Sequence, residues 1–488
     1  MGRKETTEEN SARLGPVERY GLRGLVGLLA LVALGLLTWW ILSGPAPRAD
    51  ARLPGADGRP DSAQAVANVV IGEYFQRLAP TPPSRTGEWP QFRGPNRDGV
   101  STEPVQLIRS FGDGPDILWQ VALGEGHAGA AVHAGLVYVL DYDEELESDM
   151  LRCFVLTTGQ EVWRRWYEVE TKRNHGISRT VPAVSDACVV TMGPQCHVMA
   201  VEPRSGDLLW THDLVREFGI EVPLWYTGQC PLIDGDTAVV AVGGDTLMLG
   251  IDCATGETVW ETPNPAGLTM SHSSVVPMVI LGTRMYVYSA IGGIVGVSAE
   301  PENVGELLWI SSDFGAQVIA PSPIPVADNR VFSCAGYGAG SIMLELSSDD
   351  DTFSVTTVFR KNPREGLTLE QQSPLVYQNL IIGIMPKDAG TLRDQFVAYD
   401  SRGEFVWSSG ETLRYGLGPF VIADGIAIIL DDTGDLTLAE ISESGMTVLD
   451  ETRILPGVDS WAPLAITGGV LLARDSTTMV CVDLRQDG

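Results

Sequence analysis

Six side chains recur at one point of a repeated pattern, around a short strand that is usually marked by proline: His127, Arg179, Gln229, Ser274, Gln371 and Trp461. Their types define a chemistry. A guanidinium pairs with a carboxylate through a two-pronged fork, amides and hydroxyls meet carbonyls, and imidazole and indole give flat faces for stacking. In a concave setting that combination suits a planar anionic ligand. The same part of the repeat carries Thr180, Ser273, Gln372 and Ser460, and longer segments nearby add His175, Trp225, Tyr226, His272 and Tyr415. A water-filled channel needs polar walls of the same kind, so a ligand site and a wet channel are both consistent with these residues.

Metal chemistry has weaker support. The chain has six histidines, with no H-x-H or H-x-x-x-H pair. His127, His175 and His272 would have to converge from separate repeats. DYDEELESD (141–149) lacks the glycine and alternating ligands of a calcium loop and reads as a hairpin tip; SSDDD (347–351) reads the same way. No metal ligand is therefore assigned. Nucleophile elbows, Walker loops and dinucleotide fingerprints are absent, because AVGGDT and IGGIVG sit in strand or turn contexts.

The elements that must position these residues follow from a second repeat. IDCATGETVW (251–260) is echoed by LTTGQEVW, VEPRSGDLLW, SAEPENVGELLW and YDSRGEFVW. A small polar cluster with glycine makes a tight turn, and the apolar residues after it make a strand. Tryptophan recurs at 119, 163, 210, 260, 309 and 407, with Phe359 and Leu449 filling the gaps, in steps of 42–50 residues. That is the period of a four-stranded propeller blade. Pro182, Pro231, Pro277, Pro323, Pro374, Pro419 and Pro463, with Ala130 in the first unit, mark the opening strand of each unit. Both series count eight. The last unit stops at VCVDLRQDG, whereas ILWQVAL (117–123) has a tryptophan strand without its turn. The expectation is that 117–123 supplies the outer strand of the last blade and closes the ring.

The remainder of the chain bounds its setting. LVGLLALVALGLLTWWIL (25–42) is long enough to span a bilayer, and Arg3, Lys4, Arg13, Arg19 and Arg23 precede it. Residues 1–24 are expected in the cytoplasm, 25–42 as a transmembrane helix in the inner membrane, and 43–88 as a linker with a short helix at 63–78. Residues 89–488 form the propeller, periplasmic or otherwise extracytoplasmic. Cleavage near Ala49-Asp50-Ala51 is the alternative to a retained anchor. With 33 basic against 63 acidic residues and a net charge of −30, nucleic acid is excluded as a partner. Seven scattered cysteines do not make a disulfide framework. Cys188 and Cys196 flank a turn, as two buried thiols or as a cross-hairpin pair.

The turn-and-tryptophan repeats, the period and the lead-in EWPQFRGPNRDGVS (88–101) resemble the PQQ-like (quinoprotein-like, BamB-like) β-propellers of membrane-anchored bacterial type. The resemblance implies an all-β, eight-bladed propeller of four-stranded blades. It implies two kinds of function: a protein-binding or assembly scaffold, and a dehydrogenase with PQQ and calcium on the axis. The adjacent-cysteine pair common among the dehydrogenases is missing, as is a C-x-x-C-H haem site, and no residue can be matched to the family's catalytic Asp. The sequence therefore favours a non-catalytic scaffold with protein partners and no cofactor. A PQQ-dependent oxidoreductase or a small-ligand sensor using the axial funnel is the alternative.

Overall fold

In IDCATGETVW the Asp252 carboxylate accepts the backbone N–H groups of Ala254 and Thr255 at 3.0 and 2.8 Å. Gly256 then takes a left-handed φ of +76°. The chain reverses, and Thr258–Pro263 pairs antiparallel with Thr246–Asp252. Related turns precede the outer strand in the other repeats, and each repeat folds as a four-stranded meander.

The computed structural model describes residues 31–36, 38, 69–172, 176–327, 329–349 and 352–486. The chain divides into two compact units, 1–57 and 58–488. In the first, residues 31–36 and 38 are helical and exposed. Among the described residues no helix is long and apolar enough to cross a membrane; most of 25–42 lies outside them. The second unit is an eight-bladed, all-β propeller. Its blades span 130–168, 183–213, 232–263, 276–311, 324–361, 375–408, 420–453 and 465–483, and Asp116–Ala122 completes the eighth by pairing with Thr478–Asp483. Opening strands touch across the one–two, two–three, four–five and five–six junctions, and those of blades eight and one touch as well. Closure thus follows the expectation, one residue earlier than predicted.

The recurring tryptophan explains the recurring glycine. Trp119 lies against the turn glycine of the next blade, Gly159, whose φ is +66° and where an added Cβ would come within 2.7 Å of the indole. The indole N–H also reaches a backbone acceptor of that turn: Trp119 donates to Leu156 O at 2.7 Å, and Trp210 to Cys253 O at 2.8 Å. Each outer strand has a register shift just before the tryptophan position. That bulge turns the indole over a small partner such as Ala200 or Gly250 and toward the next blade.

Two expectations are corrected here. Leu449 is not the seventh-blade counterpart of tryptophan: the register shift falls at Leu449, and Asp450 stands opposite Leu438 in the tryptophan position. Its carboxylate binds Ser110 Oγ and the Phe111 N–H, both at 2.7 Å. Over the described part of 63–78 the chain is extended rather than helical. Tyr74–Arg77 pairs with Glu161–Glu168 and adds a strand to the outer edge of blade one. The open edge offers a ladder of hydrogen bonds that a short isolated helix cannot match. Trp260, stacked on Tyr286, is only half-buried, while Trp119, Trp163, Trp210, Trp309 and Trp407 are buried.

Candidate functional site at the propeller axis

The axis has two ends of different construction. Turns between the first and second strands and between the third and fourth strands of each blade share one face, here the hairpin face. The loops linking one blade to the next share the other, here the loop face.

At the loop face the candidate residues sit on the inter-blade segments, and most are engaged with one another. His127 of blade one stacks on Trp461 of blade eight, with ring centroids 4.0 Å apart. Gln372 reaches from blade six to donate to Trp461 O at 2.8 Å. Arg179 donates to Gly176 O at 3.0 Å and to the carbonyl of Trp225. Trp225 in turn lies 5.6 Å from the Tyr337 ring of blade five. Glu370 of blade six packs against Gly336, the residue before Tyr337, and lies 3.7 Å from Lys387. Side chains from blades one, two, three, five, six and eight therefore form a bridged lid over the mouth. Burial sets its electrostatics. It pulls the Arg179 guanidinium down to about 10 and the His272 imidazole down to about 3, the latter helped by Arg179, so at neutral pH Arg179 is charged and His272 is not. Trp225, Tyr226 and Tyr337 all have left-handed φ angles of +64°, +71° and +56°, a costly conformation for aromatic residues.

Two of the predicted residues serve the ring itself. The Gln229 amide is clamped to its own blade, accepting Ala241 N–H at 2.6 Å and donating to Ala241 O at 3.0 Å. Ser274 belongs to a belt running from blade two to blade six, in which a backbone N–H donates to a side chain of the next blade. Val181 donates to Cys230 Sγ at 3.2 Å, Cys230 to Ser274 Oγ at 3.0 Å, Ser274 to Ser322 Oγ at 3.1 Å and Ser322 to Ser373 Oγ at 2.8 Å. Tyr415 is buried against Phe396. His175 lies outside the described residues.

The hairpin face is crossed by a segment that the sequence reading divided between the end of the linker (43–88) and a lead-in (88–101). Residues 69–115 run from the rim of blade one to the axis, over it, and out to blades seven and eight. Glu88–Trp89 pairs with the opening strand of blade one. Pro90 O accepts from Val184 of blade two at 2.8 Å. Arg97, 1 % exposed, donates to Pro231 O and Cys230 O of blade three at 2.8 and 3.2 Å. Arg93 donates to Pro374 O of blade six at 2.6 Å. Val100 bridges to Ile422 of blade seven, and Glu88 N–H donates to Thr467 Oγ1 of blade eight at 2.7 Å. This strap covers the axis from below, holding two guanidinium groups that burial lowers to about 10 and that remain charged at neutral pH. Sequence reasoning also missed Arg474. It is buried, and it ties blade eight to blade one through Gly124 O at 2.8 Å and Ala128 O and Leu140 O at 3.2 Å. The signal for all three arginines was weak: each is an arginine in a largely apolar or Gly/Pro-rich stretch.

A quinone cofactor with calcium does not fit this arrangement. Trp461 has its face against His127, the Arg179 fork is turned onto backbone carbonyls, and among the described residues no group of three His, Cys, Asp or Glu side chains is placed to hold a metal ion.

Comparisons with known proteins agree with the architecture. Residues 147–352 match the family model PQQ_2, described as outer membrane protein assembly factor BamB. Among solved structures, BamB from Moraxella catarrhalis aligns with a TM-score of 0.50 at 15 % identity, covering 76 % of this chain and 98 % of that one. The quinohemoprotein alcohol dehydrogenase of Comamonas testosteroni aligns with a TM-score of 0.54 at 12 % identity, covering 83 % and 82 %. No curated protein sequence matches the chain. At such identities the structures speak for the fold alone. Together with the eight closed blades and the in-register turn-and-tryptophan repeat, they show an eight-bladed β-propeller similar to the PQQ-like propellers, with the match to that family's model confined to residues 147–352.

Proposed function

We propose that the chain is a membrane-tethered, extracytoplasmic propeller that works as a protein-binding scaffold through its loop face. One observation carries this reading: the axial mouth is bridged by the protein's own side chains, through His127–Trp461, Gln372–Trp461 and Arg179–Trp225–Tyr337. A ligand in the axis would have to break these contacts, whereas a partner resting on the lid would not. The lid also presents an aromatic group outward, Tyr337 being 47 % exposed, and aromatic residues anchor protein interfaces. The description of the matching family as an assembly factor points the same way. Under this reading the partner is an envelope protein and the role is assembly.

The test places a photo-crosslinking side chain at Tyr337 on the loop face and, separately, at Leu281 on the hairpin face, in the full chain in its own membranes. A discrete adduct from Tyr337 that is absent from Leu281 supports the reading. Equal labelling from both positions, or none, overturns it. The oxidoreductase alternative is read in parallel from titration with PQQ and calcium and from dye-linked alcohol oxidation. Saturable binding with turnover would replace the scaffold reading.

A further inference from the structure

The strap engages several blades at one recurrent position. The residues that close a two-residue hairpin are hydrogen-bonded to each other, so the residue just before them turns its N–H and C=O away from the second strand. In blade one that residue is Val132, which pairs with Trp89. In blade two it is Val184, whose N–H donates to Pro90 O at 2.8 Å, and in blade three Ile233, whose N–H donates to Gln91 Oε1 at 3.3 Å. In blade seven it is Ile422. Its N–H donates to Gly99 O at 2.9 Å and its C=O accepts the Ser101 N–H at 2.8 Å. Val100 lies alongside as a parallel bridge, and Ile422 is buried.

Blade four has the same edge without the strap on it. Its first hairpin turns through Leu281 and Gly282 at φ of +53° and +81°, as that of blade seven turns through Asp424 and Gly425 at +47° and +76°. Val279 stands where Ile422 stands, and it is 63 % exposed. Its strand neighbour Arg284 offers it no bond: the Arg284 N–H donates to Glu300 Oε1 at 2.7 Å, and Arg284 O accepts the Ala299 N–H at 3.0 Å. Beside Val279 opens a cavity of about 320 Å³, walled by Gln91 and Asn96 of the strap, Leu232–Asp234 of blade three and Pro277–Val279 of blade four. The Asp234 carboxylate in that wall is neutralised by Arg284 at 2.5 and 2.7 Å and also accepts the Tyr286 hydroxyl at 2.7 Å. We propose that the edge of blade four at Val279 is a docking site for an extended, uncharged segment of a partner protein. The segment is held as Gly99–Ser101 is held on blade seven, by two backbone hydrogen bonds in a parallel bridge, with one aliphatic side chain in the cavity. The strap itself is committed to other blades and leaves this edge to a second chain. The site lies on the hairpin face and does not depend on the loop-face reading. A segment docked here gives Leu281 an adduct of its own mass, distinct from the one sought at Tyr337.

The probe is the blocked peptide acetyl-Asn-Gly-Val-Ser-Thr-Gln-amide, which copies residues 98–103 with both acids replaced by amides. It is titrated into the full chain in detergent and followed by peptide-observed saturation-transfer NMR. The expected result is transfer strongest at the valine methyls, saturating with a Kd on the order of 1 mM. Val279→Pro removes the N–H and should weaken binding about fivefold or more. Pro277, two residues earlier on the same edge, shows that the strand accommodates proline. Asn96→Trp, at an exposed strap position in the cavity wall, fills the cavity while leaving blade four unchanged in sequence, and should abolish the valine signal. No saturable transfer up to roughly ten times the expected Kd overturns the proposal, as does equal transfer in wild type and both variants. Dimerisation of the full chain that is lost in Val279→Pro would put a second copy of the chain on this edge and would also overturn it.

Discussion

At the scale of single residues, the fold depends on a glycine and a tryptophan from different blades. Gly159→Ala places a Cβ 2.7 Å from Trp119 in a left-handed backbone, so it is expected to destabilise by about 2–4 kcal/mol, read as a fall in the urea midpoint. Trp163→Ala, at a fully buried position, should cost about 3–5 kcal/mol in the same measurement. Trp260→Ala should cost less, because that side chain is half-exposed. Asp149 gives a pH-dependent prediction. Burial raises its carboxyl to about 7, with Asp141 adding to the shift and the Tyr167 hydroxyl at 3.0 Å opposing it. A folded-state value above the unfolded one means the protonated form is preferred in the fold. The contribution to stability is complete below about pH 4 and is lost as pH rises through 7. Asp149→Asn should therefore raise Tm at pH 8, with the gain over wild type shrinking to nothing near pH 4. An Asn variant less stable than wild type at pH 8 would show that the ionised carboxylate is stabilised there.

At the scale of elements, the strap and the blade edges are the informative parts. Arg97→Ala leaves the carbonyls of Cys230 and Pro231 without their buried charged donor, a loss of about 2–3 kcal/mol. Limited proteolysis should then cut between residues 79 and 101 faster than in wild type, with the blades still resistant. Unchanged cleavage would mean that the strap is held without its arginines. The sequence disclosed the blades because period, turn glycine and tryptophan repeat in register, and it disclosed closure because the two ends are complementary truncations. It could not disclose the strap, whose partners lie hundreds of residues away and whose own sequence has no period. Nor could it separate Arg179 and Trp461, which reach the mouth, from Gln229 and Ser274, which satisfy backbone groups of the ring: all four are polar or aromatic residues at similar points of the repeat. Leu449 was misplaced by one residue because the seventh blade carries an acidic residue, Asp450, where the other repeats carry an aromatic one, and the apolar neighbour drew the assignment.

At the scale of the whole molecule, eight wedges share one closure. Deleting 116–122 removes the strand paired with Thr478–Asp483 and exposes an edge at the point where the ring must shut. Thermal unfolding of that variant should begin well below the parent's and lose its single sharp transition, whereas an unchanged Tm would show that seven and three-quarter blades suffice. The net charge of −30 adds repulsion across a compact body. Raising sodium chloride from roughly 20 to 300 mM should therefore raise Tm by a few degrees through screening.

The strap also sets a timetable. Residues 69–115 leave the ribosome before any blade exists, and their partners arrive in reverse order of convenience: Asp424, 317 residues after Leu107, and Thr467, 379 residues after Glu88. Until the last repeat is made, the segment that floors the ring has only its partners in the early blades, and the strand that closes the ring is unpaired. A ribosome stalled shortly before Asp483 holds a nearly finished protein in which Asp116–Ala122 is still a strand in search of its edge. Such an intermediate is open to wrong pairings for most of synthesis, and the final few residues convert it, in one event, to a ring with no free closure left to offer.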